Sequence, residues 1–458
     1  MSLSASNGIY GGSSSMTWAE FVLRNAVKRD RNDPSVIMWS LGNEILEGCS
    51  GGGSIGSDYP TIAKNLIDWM KDEDATRPAT ILDNKAKDGT SIYISVCNVI
   101  ANNGGVVGLN YCSDSQLSRL YSGHSNWKIY SAETSSATNS RGICSSQENN
   151  ANADGKYHLT SYDTSAVGWG MTAHDSLYNT MTKDYVAGEF VWTGFDYIGE
   201  PTPWNGVGSG SVIGSGAYPN SSYFGIIDTA GFEKDTYHLY RSQWARTEET
   251  LHLVTAWDSD NQYTTSGKTP VVIYSNAARV ELYRNGTKIG TATRTVHATN
   301  AGHQYHTYSV QSDDSSVCTA VAGSGSSALY ATFCVTYAAG TISAKAFDES
   351  ENEITARCAG NTSVSTPGTV SRLAVHQDKP EIAAQWEPTL NGQFEPTMVT
   401  PGSRKRVWWI CQDGHVWKTA VYSRTGPERC GCPVCAGKAK RGKRYTLPEA
   451  AESIRAKE

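Results

Sequence analysis

Apolar residues in the first half of the chain fall in short unbroken runs with helix-compatible segments between them. "VIMW" (36–39), "ATILD" (79–83), "VVGLNY" (106–111), "WKIYSAET" (127–134) and "VAGEFVWTGFDY" (186–197) read as strands. Thr17-Trp18-Ala19-Glu20 forms a capping box that opens a helix through "WAEFVLRNAVKRD", and Asn32-Asp33-Pro34 ends it. "YPTIAKNLIDWMKDED" is a second helix. Strands alternating with helices predict a parallel sheet with crossovers, and a run as apolar as "VIMW" predicts a strand buried inside that sheet. Each run has polar or aromatic residues near its C-terminal end, which in an α/β barrel is the active face.

From about Leu251 the texture changes. "PVVIYSNAARVELYRNGTKIGTATR" places strand-like runs around Asn285-Gly286, a strong hairpin signal, and "ALYATFCVTY" and "GTISAKAFDE" continue in the same way. This predicts an all-β sandwich of Ig-like size. "GNTSVSTPGTVSR" (360–372) reads as a linker, with a third module beginning near His376. The expected division is a disordered lead (1–16), an α/β portion (17–246), a β-sandwich (247–370), a small third module (371–440) and a basic tail (441–458).

At 458 residues the chain is too long for one ordinary core, and an apolar content of 39% is that of a folded globular protein. The net charge of −6 hides an asymmetry: Pro401 to Glu458 holds 13 Lys/Arg against 5 Asp/Glu, a balance of +8 that leaves −14 elsewhere. A solvated basic end accounts for it, and nucleic acid is not an expected partner. No apolar run approaches a membrane span, and the opening "MSLSASNGIYGGSSSM" lacks the basic and apolar parts of a signal peptide. Seven of the 11 Cys are scattered without disulfide-framework spacing, so reduced thiols and a cytoplasmic location are expected.

Two glutamates stand at strand ends: Glu44 after "MWSLGN" and Glu133 in "IYSAETS". Retaining glycoside hydrolysis needs a carboxylic acid and a nucleophilic carboxylate ~5 Å apart. Taken singly, each would more simply be a helix-start or solvated loop acid. The residues around them carry a resemblance. "VKRDRNDPSVIMWSLGNE" resembles the acid/base strand of family 2 glycoside hydrolases. The similarity continues through "GLNY", "YSAETSSATNSRG", "TSYDTSAVGWG", "DYVAGEFVWTGFDYIGEPTPW" and "SSYFGIIDTAGFEKDTYHLYRSQW", particularly to the β-galactosidase-like branch. The resemblance implies Glu44 as acid/base and Glu133 as nucleophile. It implies Asn43, Asn110, Tyr111 and Trp192 as residues lining the sugar subsite, where an indole face can stack on a pyranose.

The family places other domains and three barrel strands before the acid/base strand, and only 34 residues precede "SVIMW" here. The expected fold is therefore multidomain α/β + β: an incomplete TIM (β/α)8 barrel with about five of the usual eight strands, an Ig-like β-sandwich and a small zinc ribbon. A second chain completing the barrel is an expected partner if the site is to form.

The remaining four Cys crowd between 411 and 435. Cys411 and His415 form a C-x3-H pair, and Cys432 and Cys435 a C-x2-C pair. Two such pairs on Gly- or Pro-rich turns can close a tetrahedral, structural Zn²⁺ site, with Cys430 as a spare candidate. The stretch resembles treble-clef zinc-ribbon repeats, and Trp408, Trp409 and Trp417 are expected to form its small core. The leading expectation is a retaining β-galactosidase of carbohydrate metabolism that needs no cofactor for hydrolysis. The alternatives are a glycosidase of another specificity (β-glucuronidase or β-mannosidase), or a barrel relic that binds through the sandwich and zinc ribbon.

Overall fold

The computed structural model describes residues 18–45, 58–144, 157–200, 202, 219–258, 264, 267–312, 328–366, 379–392, 394–426 and 430–438. The lead 1–16 and the tail 441–458 lie outside them. The chain divides into two units, 1–366 and 367–458.

In the first unit, helix α1 (Trp18–Asp30) precedes five strands: β1 (Trp39–Asn43), β2 (Ala79–Asp83), β3 (Val106–Asn110), β4 (Ile129–Ser135) and β5 (Val186–Trp192). Helices α2 (Tyr59–Glu73), α3 (Ser91–Asn102), α4 (Asp114–Gly123) and α5 (Ala173–Met181) connect them, and α6 (Asp235–Trp244) follows. All neighbouring strands are parallel and lie in the order β1-β2-β3-β4-β5. Local sequence sets these elements. Pro60 sits in the first turn of α2, which buries Ala63, Ile67 and Met70 at helical spacing. Ser113 and Gln116 close a full capping box on α4. The helix layer meets the outer face of the sheet in one core containing Val27, Ile67, Met70, Ile100, Ile81, Val107, Leu109 and Ile129.

The expectation of a buried first strand is corrected. Of "VIMW" only Trp39 lies in β1, which among the described residues is an edge strand with no fully buried residue, and Ile37 just before it is 66% exposed. β5, the other edge, leaves Phe190 57% exposed. Apolar content reports what a strand can bury, but an edge of an open sheet has no neighbour to bury it.

The second half of this unit is an antiparallel sandwich. One sheet runs β10 (Gln304–Ser312), β9 (Thr287–Ala298), β8 (Arg279–Arg284), β12 (Thr341–Phe347), β13 (Ser363–Ser365). The other runs β11 (Ala331–Val335), β7 (Thr269–Ser275), β6 (Leu251–Val254). Asn285 and Gly286, both at positive φ, turn β8 into β9, as the Asn-Gly pair predicts. β13 occupies the first half of the expected linker. A shared core ties sandwich to sheet: Tyr162, Leu177, Leu239 and Tyr240 meet Val272, Tyr274 and Tyr330. The Gln243 amide donates to the Leu329 and His306 carbonyls. Cys334 is disulfide-bonded. Cys97, Cys112, Cys144 and Cys358 are free thiols, as expected, and Cys334 alone among the described scattered cysteines departs from that expectation.

The second unit is built on the antiparallel pair β14 (Arg406–Ile410) and β15 (Val416–Ala420) with short helices around it. Trp386, Val407, Trp409, Trp417 and Val421 form its core. Trp408 is not part of that core: strand alternation turns it outward beneath Lys418.

Candidate active site

Parallel strands bring their C-terminal ends to one edge of the sheet, and the candidate residues collect there. At these ends the backbone leaves extended geometry. Glu44 (φ 44°), Tyr111 (φ 54°), Ser135 (φ 67°) and Ser136 (φ 53°) are all left-handed, a conformation that residues with a β-carbon adopt at a cost of about 1–3 kcal/mol. Glu44 is anchored as its N–H donates to the Leu82 carbonyl at 2.9 Å.

Asn110 ends β3 and is fully buried. Its Nδ2 donates to Glu44 Oε1 at 2.8 Å and to Asn43 Oδ1 at 3.1 Å. Its Oδ1 has no partner, leaving a buried acceptor that a ligand hydroxyl can satisfy. The next residue, Tyr111, donates its phenol to Glu133 Oε2 at 2.8 Å. Burial, and after it the charge of Glu133, pushes the Tyr111 phenol well above its usual range, with Glu44 a smaller contributor. Tyr111 is thus held as a neutral donor. Two consecutive residues of one strand end grip the two carboxylates, and β4, buried along its whole length, fixes Glu133. Carboxylates on separate strands at one sheet edge, with amide and phenol donors between them, can perform paired acid/base and nucleophilic chemistry.

Trp192, half-buried at the end of β5, meets the Tyr197 ring edge-on at 6.2 Å. Tyr197 in turn donates to Glu200 Oε2. Burial and then Glu200 raise the Tyr197 phenol, with a smaller push from Glu133. Sequence reasoning named neither Tyr197 nor Glu200, although "FDYIGE" directly follows Trp192. It also missed Lys87, which reaches the main chain of Asn110 and Tyr111. No spacing signal joins positions 87 and 110.

In the second unit the ligand atoms of Cys411, His415, Cys432 and Cys435 all lie within 4.8 Å of one another. Cys411 Sγ is 3.5 Å from His415 Nδ1 and 3.6 Å from Cys435 Sγ, and Cys435 Sγ is 3.4 Å from His415 Nδ1. Tetrahedral Zn²⁺ with bonds of about 2.0–2.3 Å sets ligand–ligand spacings of roughly 3.3–3.8 Å, so the donor set fits that ion. Cys430 is exposed and outside the group.

Comparison with known proteins matches three segments to family models. Residues 14–224 match the glycosyl hydrolases family 2 TIM barrel domain, 266–355 a domain of unknown function, and 382–438 a probable treble clef zinc finger domain. The β-galactosidase BoGH2A of Bacteroides ovatus is 32% identical over 312 residues, covering 60% of this chain and 34% of that protein. A putative β-glucuronidase of Formosa agariphila is 24% identical over 310 residues, 61% of this chain and 26% of that protein. The chain thus spans about a third or less of the length of these relatives. A β-glycosidase structure from Bacteroides vulgatus aligns at 22% identity over 76% of this chain and 39% of that one, with a TM-score of 0.49. The barrel portion of the chain thus matches glycoside hydrolase family 2, and a segment matching a treble-clef zinc finger domain follows it in the sequence.

Proposed function

We propose that this chain carries the catalytic carboxylates of a retaining β-galactosidase. Glu44 protonates the glycosidic oxygen, Glu133 attacks the anomeric carbon, and Glu44 then takes a proton from the water that releases the sugar. Tyr111 holds the Glu133 carboxylate for attack. Asn43 and the unpartnered Asn110 Oδ1 meet sugar hydroxyls, and Trp192 offers an indole face to the pyranose. The observation that carries this reading is the grip of Asn110 on Glu44 and of Tyr111 on Glu133. The β-galactoside preference rests on the likeness to the Bacteroides ovatus protein. β-Glucuronides, suggested by the Formosa agariphila relative, and β-mannosides are the alternatives.

Among the described residues β1 and β5 end the sheet, and the exposed Phe190 lies on its inner face against Tyr130. A polypeptide pairing with both edges would close the pocket, and we expect full activity only with one in place. The same free edges favour a second reading, a binding or scaffold protein without turnover. The four Cys/His ligands hold a structural Zn²⁺, which takes no part in hydrolysis.

The test is hydrolysis of nitrophenyl β-galactoside, β-glucuronide and β-mannoside by the purified chain and by Glu133→Gln. Galactoside turnover that drops by about 10³-fold or more in the variant is expected. Faster turnover of another glycoside would replace the assigned sugar. No turnover of any would favour the scaffold reading.

A further inference from the structure

We propose that Lys87 is a positioning residue for this site, holding both carboxylates in register through the main chain of Asn110 and Tyr111. The inference rests on the glycosidase reading for its functional consequence. Lys87 lies in the 3-10 turn Ala86–Asp88 after β2. That turn is fixed from below: Asp83 Oδ1 accepts the Lys85 N–H at 2.8 Å and the Ala86 N–H at 2.6 Å. Arg119 of α4 donates to the carbonyl of Lys87 itself. From this anchored base the Lys87 ammonium donates to the Asn110 carbonyl at 3.1 Å and to the Tyr111 carbonyl at 3.0 Å.

One cation cannot ordinarily reach successive carbonyls of a strand, because they point to opposite sides. Tyr111 at φ 54° breaks the alternation, so both oxygens turn toward Lys87. The left-handed conformation is unfavourable for a residue with a β-carbon, and the shared cation supplies a reason for it to persist. The charge is not spent on a carboxylate: among the described residues none forms an ion pair with Lys87. Asp88, Cys112, Lys85 and Glu44 act on it only at longer range, and its Nζ lies 5.6 Å from the Tyr111 ring. Each carbonyl it holds belongs to a residue whose side chain grips one of the two glutamates. Loosening Lys87 therefore lets both carboxylates drift, while the Trp192 side of the pocket is untouched.

The test compares Lys87→Met and Lys87→Gln with Lys87→Arg, whose guanidinium can still reach two carbonyls. Lys87→Met is expected to lower kcat by about 10²-fold with KM changed by less than about threefold, and Lys87→Arg to restore most of the rate. Lys87→Gln, with one donor group, should fall between them and serves if Lys87→Met does not fold. An unchanged kcat, or an equal loss in the Arg variant, overturns the proposal. Crystal structures of the wild type and of Lys87→Met or Lys87→Gln test it without turnover. The Asn110–Glu44 and Tyr111–Glu133 contacts are expected to open beyond hydrogen-bond distance, and their persistence overturns it. Absence of turnover in the wild type, with these contacts opening in the variants, would sink the glycosidase reading and leave the positioning role standing.

Discussion

Glu44 and Glu133 were visible in the sequence because each ends an apolar run inside a recognisable motif. Residues that act through other residues were not. Glu189 is an example: it reads as one more polar residue in "VAGEFVW", yet on β5 it is turned toward α5, where Thr180 donates to it. Its Oε1 has no partner. Burial pushes its carboxyl from 4.5 up to about 7, against the easing effect of the Thr180 and Thr134 hydroxyls. The sign follows. Between those two values the folded protein keeps a proton that the unfolded chain has lost. The stabilisation is therefore full below about 4.5 and is lost as the pH rises through about 7. Although the carboxyl Oε1 is buried, the residue as a whole is only half-buried and the ionised group can relax toward solvent, so the loss is expected at roughly 2 kcal/mol, below the full value of the shift. Urea unfolding of the wild type and Glu189→Gln from pH 4 to 9 measures it. The wild type should lose stability relative to the variant across that window, and parallel curves would mean that the carboxyl is solvated.

Among elements, the hairpin at Asn285-Gly286 was legible because its signal is local: both residues tolerate the positive φ that the turn requires. The exposure of β1 was not, since no property of "VIMW" says whether a strand lies beyond it. Trp408 fell between these cases, its strand predicted but its face decided by register with β15. Close contact between strands is equally hidden. Gly108 of β3 is tightly covered: a β-carbon there would lie 2.9 Å from the Ile81 carbonyl and 2.9 Å from the Tyr130 ring and hydroxyl. Tyr130 crosses above the glycine to meet Thr80 Oγ1 at 3.1 Å. The neighbouring carbonyl is main chain and cannot step aside without moving β2. Gly108→Ala is therefore expected to destabilise the first unit by about 1–3 kcal/mol, read from its urea midpoint. Tyr130→Ala placed in the same background should recover little of this, because the Ile81 clash remains. Full recovery would locate the strain in the ring alone.

At the scale of the molecule, the boundary between the two units falls between Thr366 and Pro367, inside the Gly/Ser/Thr-rich stretch read as a linker. The units differ in what can stabilise them. Among the described residues the first has three sizeable apolar clusters, each shared between layers of structure. The second has one among its described residues, assembled from a two-stranded sheet and short helices around Trp386, Trp409 and Trp417. So small a core leaves little surplus over chain entropy, and the gathered Cys411, His415, Cys432 and Cys435 supply what it lacks once they hold Zn²⁺. Stripping the metal with a strong chelator under inert gas, without a thiol reductant, should unfold the second unit alone. Its Trp fluorescence should shift to the red and its amides should lose exchange protection, while the first unit keeps its thermal transition within about 2 °C. Zn²⁺ added in slight excess should restore the folded signal, and Cys411→Ser should mimic the stripped state at any metal concentration. If the second unit instead kept its protection without metal, the cysteines would be ordinary core thiols and Trp409 with its neighbours a sufficient core.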